Sequence, residues 1–420
     1  MNLKALVAGM GLLSIAASCS EDVTEQINTG SEIKFTTRMS RANIINSTAD
    51  LKEFTVFAEA DGYTGLFING ETATKEDDSN IYNLASTYRW PSDAQSIEFW
   101  AYAPKEPAAG TTININGSHH AQITGFQPAV YEYSNDKTNS GASHNDLIVA
   151  YNKALKSESG SGVSLNFKHT LSQIELQAKL GSGNKNAYTV KIKGAWFRNI
   201  YGKGDISFDD SEDNKFKWAN DGTKSLYGYS YDNAITLGLN PTGLLSESNG
   251  KSGLMVIPQD IAPWNIETDP TNTGNGAYIL ILCRVEVTHE GDEHKGGDYV
   301  GDAENGHVHQ MFPTPDNDKT FNENLYGYVC VPLTNPEGGW QAGKKYVYTL
   351  EFCGANSGAG LYPPTGGDIP EAPDVPNGKK PGDPILDEPI KFSVTVEGWD
   401  ETWKPGDGST TTTPGDTPMR

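Results

Sequence analysis

Apolar residues return at every second position through most of this chain. Ile33 and Phe35 alternate with polar neighbours in SEIKFTTRM, as do Phe54, Val56 and Ala58 in EFTVFAEA and Ile97, Phe99 and Ala101 in SIEFWAYAP. The same beat runs through Val163, Leu165, Phe167 and His169, then Ile174, Leu176 and Ala178. It recurs in 190–192, 278–287, 328–331, 346–352 and 390–396. A period of two belongs to a strand with one buried face. No long stretch shows the helical period. Turn-forming strings such as DGYTG, GSGNKN, NDGTKS and NPEGG separate the runs. The pattern predicts an all-β chain of short strands arranged as sandwiches.

Breaks in the pattern divide the chain. KSESGSG, residues 156–162, is read as the boundary between an N-terminal domain, 42–158, and a C-terminal domain, 159–405. A Pro-, Gly- and Asp-rich stretch, 354–384, reads as a long tether before a last clean strand, 390–396. The Thr/Gly/Pro tail, 406–420, reads as disordered. At the other end Lys4 precedes the apolar run Leu6–Ala17, which is too short to span a bilayer. Ala16-Ala17-Ser18-Cys19 then resembles a bacterial lipobox, which makes residues 1–19 a signal peptide and Cys19 the lipidated residue. Ordinary secretory cleavage beside an incidental Cys19 is the alternative.

Composition narrows the function. At 420 residues two domains are expected. A hydrophobic share of 36% with 45 Gly and 23 Pro suits a loop-rich β protein. The net charge of −22 argues against nucleic acid or an anionic membrane held by basic patches. Beyond Cys19 there are three cysteines, Cys283, Cys330 and Cys353, each in a strand-like run and each read as a small buried thiol. Their spacing suggests no zinc site.

The search for chemistry finds little. No P-loop, dinucleotide fingerprint or Gly-x-Ser-x-Gly elbow is present. His294, Asp298, Asp302, His307 and His309 supply metal-ligand types, but at no recognised spacing, and a solvated hairpin is the preferred reading. Asp209, Asp210, Glu212 and Asp213 are read as a solvated turn. His169, in phase with Leu165 and Phe167, is expected to point inward with a partner. Most tryptophans lie at strand ends, where sandwiches pack aromatics, and Trp218 alone is singled out for ligand contact. Neither catalysis, a cofactor nor a metal is expected.

Several strings in order resemble the fimbrillin family of Bacteroidales: IKFTTRMSRA, EFTVFAEA, YRWP with SIEFWAYAP, NDLIVA, VSLNFKHTLSQIEL, GLMVIPQ, GGWQAGKKYVYTLEF and PILDEPIKFSVTVEGW. Ser20-Glu21-Asp22 also resembles the acidic export signal of Bacteroidales lipoproteins. The resemblance implies two tandem transthyretin-like β-sandwich domains, with FKHTLSQI opening the second. It implies a fimbrial subunit with a role in adhesion, carried to the outer membrane and cell surface by a lipid anchor. An Arg-specific or trypsin-like protease would remove a pro-segment, 20–41, by cutting at Arg41-Ala42, with Arg38 as the runner-up. Ile33 and Phe35 would fill the groove until then. A C-terminal strand carrying Ile390, Phe392, Val394 and Val396 would then fill the groove of the next subunit. The implied partners are other fimbrial subunits, the protease and a host or bacterial surface ligand. A glycan-binding outer-membrane lipoprotein of a polysaccharide-uptake system is the alternative.

Overall fold

A computed structural model of the chain describes residues 30–39, 51–77, 79–107, 111–116, 120–128, 146–183, 188–208, 216–245, 254–289, 299–302, 306–314, 321–364, 378–398 and 411–412. All regular elements among them are strands, apart from two single turns of 3₁₀-helix. The N-terminal strands are β1 (Phe35–Met39), β2 (Glu53–Ala60), β3 (Ile68–Lys75), β4 (Ile81–Leu84), β5 (Ser96–Ala103), β6 (Thr112–Asn116), β7 (His120–Phe126), β8 (Ile148–Leu155) and β9 (Val163–His169). Seven of them close on themselves in the order β1-β4-β3-β2-β5-β8-β9. Their alternate residues fill one interior, with Phe35, Phe54, Val56, Ile97, Phe99 and Leu165 all fully buried. Closure removes the open edges that a sheet of this size would otherwise present.

Then come β10 (Ser172–Leu180), β11 (Tyr188–Tyr201), β12 (Gly204–Phe208), β13 (Phe216–Asn220), β14 (Lys224–Thr236), β15 (Thr242–Leu245) and β16 (Leu254–Val256). They are followed by β17 (Tyr278–His289), β18 (Tyr299–Asp302), β19 (Gly306–Phe312), β20 (Gly327–Pro332), β21 (Lys344–Phe352), β22 (Lys391–Gly398) and β23 (Thr411–Thr412). One sheet runs β15-β10-β21-β22-β23, with β16 also on β10. The facing sheet runs β14-β11-β17-β19-β18, with β20 also on β17. Ile174, Leu176, Ile192, Phe197, Ile279, Ile281 and Tyr348 are among the side chains that pack between them.

The change from one core to the other falls at Thr170, not at KSESGSG. That string is the turn between β8 and β9, and β9 pairs with β8 on one side and, from Val163 to Phe167, with β1 on the other. FKH therefore closes the first unit, and only the residues from Leu171 open the second. Polar turn composition marks a hairpin as readily as a boundary, which is why the string misleads.

A fourth sheet, β6-β7-β12-β13, spans the two halves, because β7 pairs with β12 from beyond Thr170. It covers a separate cluster that includes Trp100, Tyr102, Phe126, Leu171, Ile206, Phe216 and Ile257. The two units are thus joined by a ladder and a shared apolar core.

Candidate functional site: the first strand and the last

The first strand is held mainly by its backbone and three inward side chains. It runs parallel to β9, with Phe35 beside Val163 and Arg38 beside Asn166. On its other side Phe35 and Thr36 pair antiparallel with Tyr82 and Ile81 of β4. Upstream, the Ile33 amide donates to the Tyr88 carbonyl at 2.9 Å, and the Trp90 amide donates to Ser31 at 2.9 Å. Gly30 lies against the Trp90 carbonyl so closely that a Cβ there would sit 1.9 Å from its oxygen. Ile33, Phe35 and Thr37 point inward, and Phe35 is 0% exposed. The Phe35 ring meets Phe54 and Phe99 edge-on at centroid distances of 5.8 and 5.5 Å. Arg38, one position further, is exposed. Cys19, Arg41 and Ala42 lie outside the described residues.

The last long strand, β22, is antiparallel to β21 from Lys391–Glu351 to Gly398–Lys344. Ile390 and Val394 are buried, and Phe392 and Val396 are half-buried against the same core. The expected single apolar face is therefore present. On its other side, among the described residues, β22 pairs with Thr411–Thr412, two residues of the tail expected to be disordered.

The expected tether is a correction. Its described parts, 354–364 and 378–384, are packed onto the second unit. Leu361 bridges Cys330 of β20 and also Pro384. The Gly358 amide donates to the Pro389 carbonyl at 3.0 Å, and the Ile385 amide donates to Gly360 at 2.8 Å. A Cβ on Gly358 would fall 1.8 Å from the Glu388 oxygen, so only glycine allows this approach. The Ser357 hydroxyl donates to the Glu351 carbonyl and accepts from the Lys391 amide. These contacts strap the start of β22. They use backbone groups and small residues, which leave no apolar period in the sequence.

Other singled-out residues prove structural. His169 places Nδ1 3.0 Å from the Asp146 carboxylate, with both side chains buried at the junction, as an inward histidine with a partner should be. Trp218 is half-buried, packs on Phe126 at 6.0 Å and donates its indole N–H to the Thr170 carbonyl at 2.7 Å. Both contacts tie it to the junction. Trp90, Trp100, Trp196, Trp264 and Trp340 are buried. Cys283, Cys330 and Cys353 are free and buried. Burial pushes the Cys353 thiol up to about 12 and raises the Cys283 and Cys330 thiols as well.

His307 and His309 stand on β19 with ring centroids 5.0 Å apart, whereas His294 and Asp298 lie outside the described residues. The acidic run 209–213 lies outside them as well. Among the described residues no three His, Cys, Asp or Glu side chains gather as a metal site. None of the described helices is long and apolar enough to cross a membrane.

The fimbrillin-like family model matches residues 37–283, more than half of the chain. A fimbrial protein from Bacteroides vulgatus ATCC 8482 is similar in structure at 18% identity, with a TM-score of 0.51 over 88% of this chain and 100% of that one. A candidate cell adhesion protein from Parabacteroides distasonis ATCC 8503 is similar at 10% identity, with a TM-score of 0.44 over 90% of this chain and 99% of that one. No curated protein sequence matches the chain.

Proposed function

The chain belongs to the fimbrillin-like family, and from that premise we propose that it is a cell-surface fimbrial subunit that joins its neighbours by protease-triggered strand exchange. The observation that carries this reading is the first strand. Ile33, Phe35 and Thr37 fill a slot that the rest of the barrel does not fill, while Arg38 beside them is exposed. Cleavage after Arg41, or after Arg38, releases a strand held to the body by no covalent bond other than the one cut. The emptied slot is a groove with an unpaired ladder on each side, from β9 and β4. A strand from another subunit supplies both the hydrogen bonds and the alternate side chains. A head-to-tail joint of this kind does not close on itself, so it grows a filament.

In the same reading Cys19 carries the lipid that brings the precursor to the outer membrane, and the filament serves adhesion to a host or bacterial surface. β22 is the donor, and the strap at 354–364 must let go before it leaves. Among the described residues the glycan-binding alternative finds little support: five tryptophans are core, and Trp218 is half-buried and hydrogen-bonded at the junction.

Limited trypsin treatment of the purified precursor, followed by mass spectrometry and electron microscopy, tests the proposal. Cleavage at Arg41 and filaments are expected. Cleaved protein that stays monomeric at high concentration overturns it. The Arg38→Ala/Arg41→Ala double variant is expected to fold and not assemble, and Cys19→Ala to leave the membrane fraction.

A further inference from the structure

Among the described residues four large apolar side chains are exposed: Tyr63, Leu155, Leu239 and Met311. Met311 lies on the side of the second unit, in β19. The other three stand where the units end, away from the junction. Leu155 closes β8, and Tyr63 sits in the turn between β2 and β3. Both turns are fastened to the segment before β5. The Asp61 amide donates to the Ser96 carbonyl at 3.0 Å, the Lys156 amide to Gln95 at 2.9 Å and the Tyr63 hydroxyl to the Asp93 carboxylate at 2.7 Å. From this tip β9 leads to the junction at Thr170, and β10 leads away from it to Leu180. There the Leu180 amide donates to the Gly238 carbonyl at 2.7 Å, which sets Leu239 at the tip of the second unit. Leu239 does not fold back. Leu237 is buried and its amide donates to Val190 at 2.9 Å, so the turn is held from both sides and Leu239 stands 69% exposed.

A single exposed leucine carries no meaning. The placement of these does. β22 starts beside the Leu239 tip, because Lys391 pairs with Glu351 and the neighbouring Phe352 pairs with Leu180. The slot of β1 opens beside the Leu155 tip, where the Val163 amide donates to the Lys34 carbonyl at 2.8 Å. Its far end runs into the junction beside Phe167, so the body of a donor stands at the tip. Charge favours the meeting. The exposed residues around Leu239, among them Ser182, Gly238, Asn240, Pro241, Ala355 and Asn356, carry none, whereas Asp61, Asp93 and Glu158 surround Lys156 at the other tip. In a chain of net charge −22, an uncharged tip lets a second copy approach without like-charge repulsion. Resting on the strand-exchange reading, we propose that consecutive copies of this chain also meet tip to tip, with Leu239 of one copy seated against Leu155 and Tyr63 of the next. The contact lies outside both exchanged strands. It sets the angle between copies, which a single exchanged strand leaves free to swing.

The test uses full-length chain cleaved after Arg41, assembled and then diluted, with the rate of subunit loss as the readout. Leu239→Ser and Leu155→Ser should each raise that rate at least fivefold. The double variant should exceed either single by no more than about twofold, because one shared contact is lost only once. A single variant without effect, or two effects that multiply, overturns the tip contact. A second measurement does not depend on either leucine. Cleavage removes Cys19, and the thiols left, Cys283, Cys330 and Cys353, are buried. Asn240→Cys is mixed with Ser157→Cys, assembled and joined with a short bis-maleimide, and dimer-sized bands are expected on a denaturing gel. Asn240→Cys mixed with Asn220→Cys, on the bridging sheet, should give at least tenfold less. Filaments that lack the first band, or give both equally, overturn the tip contact and leave strand exchange standing. Cleaved protein that never associates overturns both.

Discussion

The indole of Trp218 donates to the carbonyl of Thr170 at 2.7 Å, and Thr170 is the residue at which the chain passes from the first core to the second. A side chain of the bridging sheet thus holds the crossover itself. Replacing Trp218 by Phe keeps most of the packing on Phe126 and loses the hydrogen bond. The expected cost is about 1 kcal/mol, or 1–3 kcal/mol if the carbonyl is left unsatisfied. A thermal melt compared with the parent measures it, and a separate early transition for one unit would show the clamp loosened.

Phe35→Ala empties the middle of the β1 slot. Loss of a buried phenylalanine costs about 3–5 kcal/mol. The expected result is a destabilised first unit with the strand still uncut, read by denaturant unfolding. Hydrogen exchange should quicken in β9 and β4, which pair with β1, and stay slow in β10 and β21.

The strap over β22 depends on Gly358. A methyl there meets the Glu388 carbonyl, so Gly358→Ala should push the strap outward at a cost of about 1–3 kcal/mol. Hydrogen exchange of the β22 amides should rise. In assembly the same variant should exchange strands faster than the parent, because the donor is already partly released.

The three thiols beyond Cys19 should resist alkylation in the native protein at mild alkaline pH. Cys353 is pushed up to about 12 by burial, and Cys283 and Cys330 are raised by the same cause. Their thiolates are therefore scarce until the chain unfolds. Labelling counted by mass spectrometry should show these sites modified only in denaturant.

Asp269 accepts the Gly274 amide at 2.6 Å and the Thr273 amide at 2.8 Å, and these bonds hold its carboxyl below the ordinary value of 3.8. A depressed folded value means that the stabilisation is whole above pH 3.8 and fades as the pH falls through the folded value. The turn under Trp264 should loosen in strong acid, seen as a change in Trp264 fluorescence. Asp269→Asn should remove most of that pH dependence.

Strand positions were legible because the period-two pattern is local. Ile33, Phe35, Val394 and Ile390 could be placed inward from their neighbours alone, and so could His169, whose phase with Leu165 and Phe167 put it in the barrel. Pairing partners were not legible. Nothing near HAQITGF says that it meets GDISF some eighty residues later, so the bridging sheet was missed. The expectation of ligand contact at Trp218 has the same origin, because its partner Thr170 is close only in space. The Pro/Gly-rich stretch failed for another reason. Its packing runs through backbone groups at Gly358, Gly360 and Leu361 together with the scattered apolar side chains of Ala359 and Leu361, which follow no strand period.

The parallel pairing of β1 with β9 has a mechanical meaning. Whatever occupies the slot is gripped along its length by β9, and β9 continues through Thr170 into β10. β10 in turn lies parallel to β21, and β21 holds β22. In the strand-exchange proposal, tension entering at the slot would pass along the chain from β9 into β10 and sideways through two ladders to β22. Along this route the ladders' many hydrogen bonds would share the load at once.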